Sequence, residues 1–302
     1  MVNNALDRGK KGLAMLTRQK ILLLMLNYAG RPVQRIELMK WCFLLRHESK
    51  TEGGSSFYDF VPYKLGPFSF ALYQEIEKLQ FMSYVLSHKE QSWRLNPELA
   101  SVVESVSPPV EREVRAIVKK FSRKSNEELL EYVYNRHPGF TVNSERKKLA
   151  PRPTAETAVY TAGYEGTSID GFLNLLVENG IEQLIDVRNN PTARRYGFHK
   201  STLTRLLNRL NIEYFHFAEL GIKSEIRQLF PADGGRGIMF DEYEVTTLTK
   251  EATAVKTVSD LVRQRPSVLV CMEADPLCCH RSRLAEPVSE LTGLRIVHLR
   301  AQ

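Results

Sequence analysis

Three of the four cysteines fall within Val268–Arg281, which reads VLVCMEADPLCCHR. Cys279, His280, Glu273 and Arg281 put a nucleophile, a proton carrier, an acid and a fixed positive charge into one short stretch. Three chemistries fit these residues. In the first, Cys279, ahead of Cys271, is a nucleophile whose thiolate is favoured by His280, Arg281 and the N-terminus of a following helix. In the second, Cys271, Cys279 and His280 bind a metal together with His216. The spacing C-x6-C-C-H, however, matches no standard zinc pattern and leaves a fourth ligand unplaced. In the third, Cys271 is a small apolar residue at the end of a buried strand and Cys278 is a neighbour by chance. The reading adopted is a site without metal or cofactor, with Asp186, Cys279, His280 and Glu273 as catalytic candidates.

Asp186 is a base or the orienter of one. Arg188, Arg194, Arg195 and Arg281 supply the charge to hold an anionic group such as a phosphate. Tyr164 and His216 complete the candidate binding residues. Asp233-Gly234-Gly235-Arg236-Gly237 could cover a cleft but lacks the spacing of a nucleotide-binding loop. His298 is expected at the surface.

Such distant residues can meet only if the chain brings them to one edge. Short apolar runs at 158–162, 183–187, 213–216, 268–271 and 295–299 alternate with helical patterns at 168–177, 201–210, 251–265 and 282–291. That rhythm predicts a doubly wound, mostly parallel sheet covered on both faces. Ligands of such sheets bind beyond the carboxyl ends of the strands, and these strands end at Tyr164, Asp186, His216 and Cys271.

The first half reads differently. Helical patterns at 16–28 and 35–47, a third helix through Leu79, and two strands at 82–86 and 91–95 give a mostly helical winged-helix order over 1–143. Ser125 with Glu128 marks a capping box for a helix over 126–136. Residues 144–156 (SERKKLAPRPTAE) are polar and proline-bearing and read as a linker to an α/β domain over 157–302.

The overall charge of +7 is uneven. Residues 1–150 hold 24 Lys and Arg against 16 Asp and Glu, whereas residues 151–302 hold 18 against 19. A basic first half suits DNA, in preference to RNA, as partner, and Lys64, Lys78, Lys89 and Arg94 are the contact candidates. The sequence offers no membrane span and reads as lacking a signal peptide. A cytoplasmic location with reduced cysteines is therefore expected, and the reading leaves room for an oligomer.

The residues Tyr160-Thr-Ala-Gly163-Tyr164, Ile185-Asp186-Val187-Arg188, Tyr214-Phe-His216 with Leu220-Gly221, and Cys271-x-Glu273-x-Asp275-Pro276 with Cys279-His280-Arg281 resemble the domain-of-unknown-function family 488. Ile222 departs from a glycine usual in that family, and Cys278-Cys279 gives two thiols before His280. The stretches Tyr58–Tyr73 and Glu128–Asn143 resemble a phage-associated, antitoxin-like domain of mobile-element and defence genes, which implies a setting in antiviral defence. The resulting expectation is a nucleic-acid-directed enzyme, a hydrolase whose winged helix positions DNA while the α/β domain acts on a nucleotide, base or phosphodiester. The alternative is a DNA-binding sensor or regulator whose α/β domain holds a small anionic ligand without turnover.

Overall fold

The computed structural model describes residues 15–89, 91–223, 225–226 and 236–300. The chain divides into two compact units, Met1–Phe60 with Leu65–Thr141, and Val61–Lys64 with Val142–Gln302.

In the first unit, helix α1 (Thr17–Ala29) ends at Gly30, whose φ of 61° lets the chain reverse. The two-residue strand β1 (Val33–Gln34) leads directly into α2 (Arg35–Glu48). Helix α3 (Phe70–Phe81) precedes the hairpin strands β2 (Val85–His88) and β3 (Ser92–Leu95). These strands and β1 form one antiparallel sheet with β3 in the middle, pairing Val33 with Trp93 and Leu86 with Arg94. Helices α4 (Pro108–Phe121) and α5 (Asn126–Arg136) complete the unit. Ser125 accepts from the Glu128 amide while the Glu128 carboxylate accepts from the Ser125 amide, closing the predicted capping box.

The sequence predicts one apolar face on α1, yet Ile21–Leu26 is buried at six consecutive positions. Helices α2 and α4 both pack against α1, so its whole circumference is covered. Each large aliphatic side chain buried there contributes about 1.5–3 kcal/mol. Lys40 of α2 lies inside the same unit at 2% exposure, its Nζ donating to the Pro67 carbonyl at 2.7 Å. Burial pulls its pKa down to about 7.

The second unit is built on a parallel sheet. Strands β4 (Val159–Gly163), β5 (Gln183–Asp186), β6 (Glu213–His216), β7 (Ser267–Cys271) and β8 (Ile296–Leu299) lie in the order β8-β4-β7-β5-β6. The central strands β4, β5 and β7 are buried at every position, and the edges β6 and β8 are partly open. That distribution explains why the central runs lack polar alternation.

The chain advances one way from β4 through β5 to β6, then returns to β7 and continues to β8. Right-handed crossovers run in opposite directions place their helices on opposite faces. Helices α6 (Ile169–Glu178) and α7 (Lys200–Asn208) belong to the outward path. After α8 (Arg236–Glu242) and a π-helical segment at Tyr243–Leu248, α9 (Ala252–Gln264) and α10 (His280–Thr292) belong to the return. Ile185, Leu269 and Cys271 pack with Val255, Val258 and Val262 of α9 and with Leu284, Ala285 and Val288 of α10.

Residues 152–155 are held against this unit. Arg152 donates to the carbonyls of Leu210 and Ile181, and the backbone at 153–155 runs tight against Gly180. Asp233, Gly234 and Gly235 lie outside the described residues, while Arg236 and Gly237 open α8. Among the described residues no helix is long and apolar enough to cross a membrane.

Candidate functional site

The carboxyl end of β7 and the start of α10 bring four candidate side chains together. The Cys271 and Cys279 thiols donate to the same carboxylate oxygen, Glu273 Oε2, at 3.2 and 3.0 Å. His280 Nδ1 lies 3.7 Å from Cys271 Sγ, and His280 Nε2 lies 3.0 Å from the Val187 carbonyl. A carbonyl only accepts, so Nε2 carries a hydrogen, and Nδ1 is the ring atom that faces Cys271 Sγ. Tyr243 packs edge-on against this ring and donates its hydroxyl to the Leu220 carbonyl.

Burial decides how the thiols behave. Cys271, Cys279 and His280 are at most 2% exposed. Burial pushes the Cys279 thiol well above its ordinary range, a hydrogen bond with Cys271 adds to this, and His280 opposes it without prevailing. Cys279 is thus a neutral thiol in this environment, the opposite of an activated nucleophile. Cys278 is half-buried and turns away toward Asp275.

The backbone holding Glu273 is fixed from two sides. Arg281 is 1% exposed and donates to the carbonyls of Glu273 and Ala274, which makes it a brace for the loop. On the other side, Gly163 ends β4 so close to the loop that a Cβ there would lie 1.8 Å from the Glu273 carbonyl oxygen. The amides of Tyr164 and Glu165 donate to the Met272 carbonyl. Only glycine permits this approach.

Asp186 belongs to a second cluster. Its two oxygens accept from Arg188 Nε at 2.8 Å, from Arg188 Nη2 at 2.5 Å and from the Tyr214 hydroxyl at 2.7 Å. Arg188 Nη1 donates to the Tyr164 hydroxyl and the Phe198 carbonyl. Asp186 is fully buried and Arg188 is 5% exposed. Burial works against the guanidinium charge, yet Asp186 outweighs it and holds Arg188 above its ordinary value. Burial, reinforced by Asp186, pushes Tyr214 upward. Tyr164 stacks on Phe198 at 4.2 Å and carries the Arg188 guanidinium over its ring.

His216 is engaged at both nitrogens, with Lys200 donating to Nδ1 and Nε2 facing the Arg188 carbonyl, each at 2.9 Å. It does not join the thiols as a ligand. Because strand side chains alternate, Asp186 points to the face of α6 and α7, whereas Ile185, Val187 and Cys271 pack on the face of α9 and α10. The structure therefore makes two clusters of what the sequence reading gathers into one cleft.

Arg194 and Arg195 are exposed in the loop after β5. An open cleft of about 320 Å³ lies at the same edge, lined by Glu165, Thr167, Asp275 and Arg300 among others. A larger one of about 430 Å³ sits at the amino ends of the strands, away from these groups, and includes Arg152, Glu182 and Arg265. Sequence reasoning passes over Tyr243, Lys200 and Arg300, and quotes Tyr214 only within the run Tyr214-Phe-His216, without a role in the site. For Tyr214 a signal exists, since it shares a strand face with His216 two residues on.

The nucleic-acid candidates are scattered. Lys64 groups with the second unit and pairs with Glu145 at 2.8 Å. Lys78 lies on α3, 4.0 Å from Glu75. Lys89 and Arg94 are exposed on the β2–β3 hairpin, and among the described residues neither has an ion-pair partner.

The family model described as "Domain of unknown function DUF488" matches residues 168–288. The matched range includes Asp186, Arg188, His216, Cys271, Glu273, Cys279, His280 and Arg281 and leaves out Tyr164. No curated protein matches the chain.

Proposed function

We propose that the protein is a DNA-binding regulator: its first unit is a winged-helix module that engages the duplex, and its second unit holds a small anionic ligand at the carboxyl edge of the parallel sheet. The observation that carries this reading is the first unit's order of α1, β1, α2, α3 and hairpin, with β3 central. The excess of basic residues in that half agrees with it. Lys89 and Arg94 then meet the phosphate backbone from the hairpin.

Regulation is favoured over turnover because the expected acid and nucleophile are already engaged. Asp186 is locked to Arg188, and Cys279 is a buried neutral thiol. The exposed Arg194 and Arg195 remain available to an anion. The second reading, a hydrolase acting on DNA, draws on the open cleft where Glu165 and Asp275 stand near Arg300.

Fluorescence anisotropy with a labelled duplex tests the first claim. Affinity should fall steeply with salt, with a slope of about −0.9 per phosphate contact. Lys89→Glu with Arg94→Glu should weaken binding and flatten that slope. No binding to the duplex at low salt would overturn the reading. Mass spectrometry of the same duplex after long incubation separates the two readings, since an unchanged strand supports the regulator and a shortened or base-depleted one supports the hydrolase.

A further inference from the structure

Cys271, Cys279, His280 and the Glu273 carboxylate have a composition and an arrangement that hydrogen bonding among thiols does not require. We propose that Cys271, Glu273, Cys279 and His280 form a zinc site that ties the end of β7 to the start of α10.

Donor spacing comes first. A tetrahedron with metal–ligand bonds of about 2.0–2.3 Å has edges of roughly 3.3–3.8 Å. Here Cys271 Sγ to His280 Nδ1 is 3.7 Å, and the two sulfurs lie 3.2 and 3.0 Å from Glu273 Oε2. The Cys271, Cys279 and His280 donor atoms all fall within 4.8 Å of one another. Contraction of the carboxylate edges is what thiol hydrogens pointing at Oε2 produce; the carboxylate is not among the three groups whose donors all lie within 4.8 Å of one another, so it must turn toward His280 Nδ1 when one ion replaces those hydrogens.

The histidine supplies an independent observation. A ligating imidazole characteristically donates its other ring N–H to a carbonyl or carboxylate, which fixes ring and tautomer. His280 does this through Nε2 and the Val187 carbonyl, at 3.0 Å and 2% exposure. Nδ1 is then the ring atom that faces Cys271 Sγ. Tyr243 blocks the ring from swinging away.

The donor types select the ion. Two thiolates with an imidazole and a carboxylate in tetrahedral order suit zinc and are too soft for magnesium or calcium. Binding balances as one Zn2+ entering while two thiols release two protons. The charge of ligands plus contents stays at −1 before and after, and the Arg281 guanidinium beside the Glu273 carbonyl offsets it in both states. With every position supplied by the chain and three ligands inaccessible to solvent, the site is closed and structural.

The metal alternative in the sequence reading names His216 and leaves a fourth ligand unplaced; His216 is engaged with Lys200 and Arg188. Glu273 occupies that position because Cys271-x-Glu273 puts it on the loop that Arg281 and Gly163 hold in place.

The test uses the full chain, purified without chelator from zinc-supplemented cells. Mass-spectrometric metal analysis should give one zinc per chain, falling at least tenfold in Cys279→Ser and in His280→Ala. Cobalt added to metal-stripped protein should produce sulfur-to-cobalt charge-transfer absorption saturating at one equivalent. This readout on the unmutated chain holds even where a variant fails to fold. Glu273→Gln should lower zinc affinity at least tenfold while preserving the thiolate absorption. Wild-type protein that takes up neither metal would overturn the proposal, as would full zinc occupancy in Cys279→Ser or a disulfide joining Cys271 to Cys279.

Discussion

At the scale of single residues, Asp186 and Arg188 are the clearest case of chemistry-bearing side chains used for structure. Both are buried; Arg188 supplies most of the hydrogen bonds to Asp186, and Asp186 accepts two of the four from the guanidinium. Asp186→Ala leaves a guanidinium in the interior and strands the Tyr214 hydroxyl, which should cost about 3–5 kcal/mol. The double variant Asp186→Leu with Arg188→Met removes both charges and should cost less than the single one. Urea unfolding curves of the two variants check this order, and a more stable single variant would contradict it. The residue pattern itself held the warning, because Asp186 sits between Ile185 and Val187, whose side chains face α9 and α10. Strand alternation assigns Asp186 to the other face, whereas an argument from strand ends alone notes only that it lies at the right edge.

At the scale of elements, strong local chemistry was readable and weak local chemistry was not. The capping box gave the helix at Asn126–Arg136 and the run EYFH gave the strand at Glu213–His216 with their observed ends. The two-residue strand β1 and the extended segments Val61–Tyr63 and Gly66–Phe68 were missed. The first is too short to show alternation, and the others carry Pro62 and Pro67, which argue against strands. The π-helical turn at Tyr243–Leu248 has no sequence signature at all. At the thiol cluster, strand, turn and helix start were legible as neighbours, but the carboxylate joining both sulfurs depends on the approach of Gly163, over a hundred residues earlier.

Helix α2 carries a further consequence of element packing. Lys40, with its pKa drawn down to about 7, loses its proton in the folded protein while the unfolded chain, near 10.4, keeps it. Between about pH 7 and pH 10 the unfolded state binds more protons, so stability should rise with pH through that window, by up to about 1.4 kcal/mol per unit. Lys40→Met should remove this contribution and be the more stable protein at pH 7. Urea midpoints of both proteins at pH 7 and pH 9.5 measure the difference, and equal pH responses would refute it.

At the scale of the molecule, the two units differ in what they offer a partner. Residues 1–150 carry the excess of Lys and Arg and hold a small antiparallel sheet, and residues 151–302 are nearly neutral and hold a parallel one. The winged-helix proposal belongs to the first alone, and the zinc proposal to the second alone. Loss of DNA binding on charge reversal at Lys89 and Arg94 should therefore leave metal content unchanged.

The strand order β8-β4-β7-β5-β6 also sets a timetable. Strand β4 is made first, yet both of its neighbours are made last. During synthesis β5 and β6 can pair as soon as they emerge, while the apolar β4 waits until Ser267–Cys271 has left the ribosome. Until then its edges are open to any passing strand. A chain stopped after Arg265 should aggregate or be digested across residues 159–216, where the full chain should resist limited proteolysis. The stretch that carries the thiols is thus also the wedge that closes the sheet, and the second unit cannot form until it has been made.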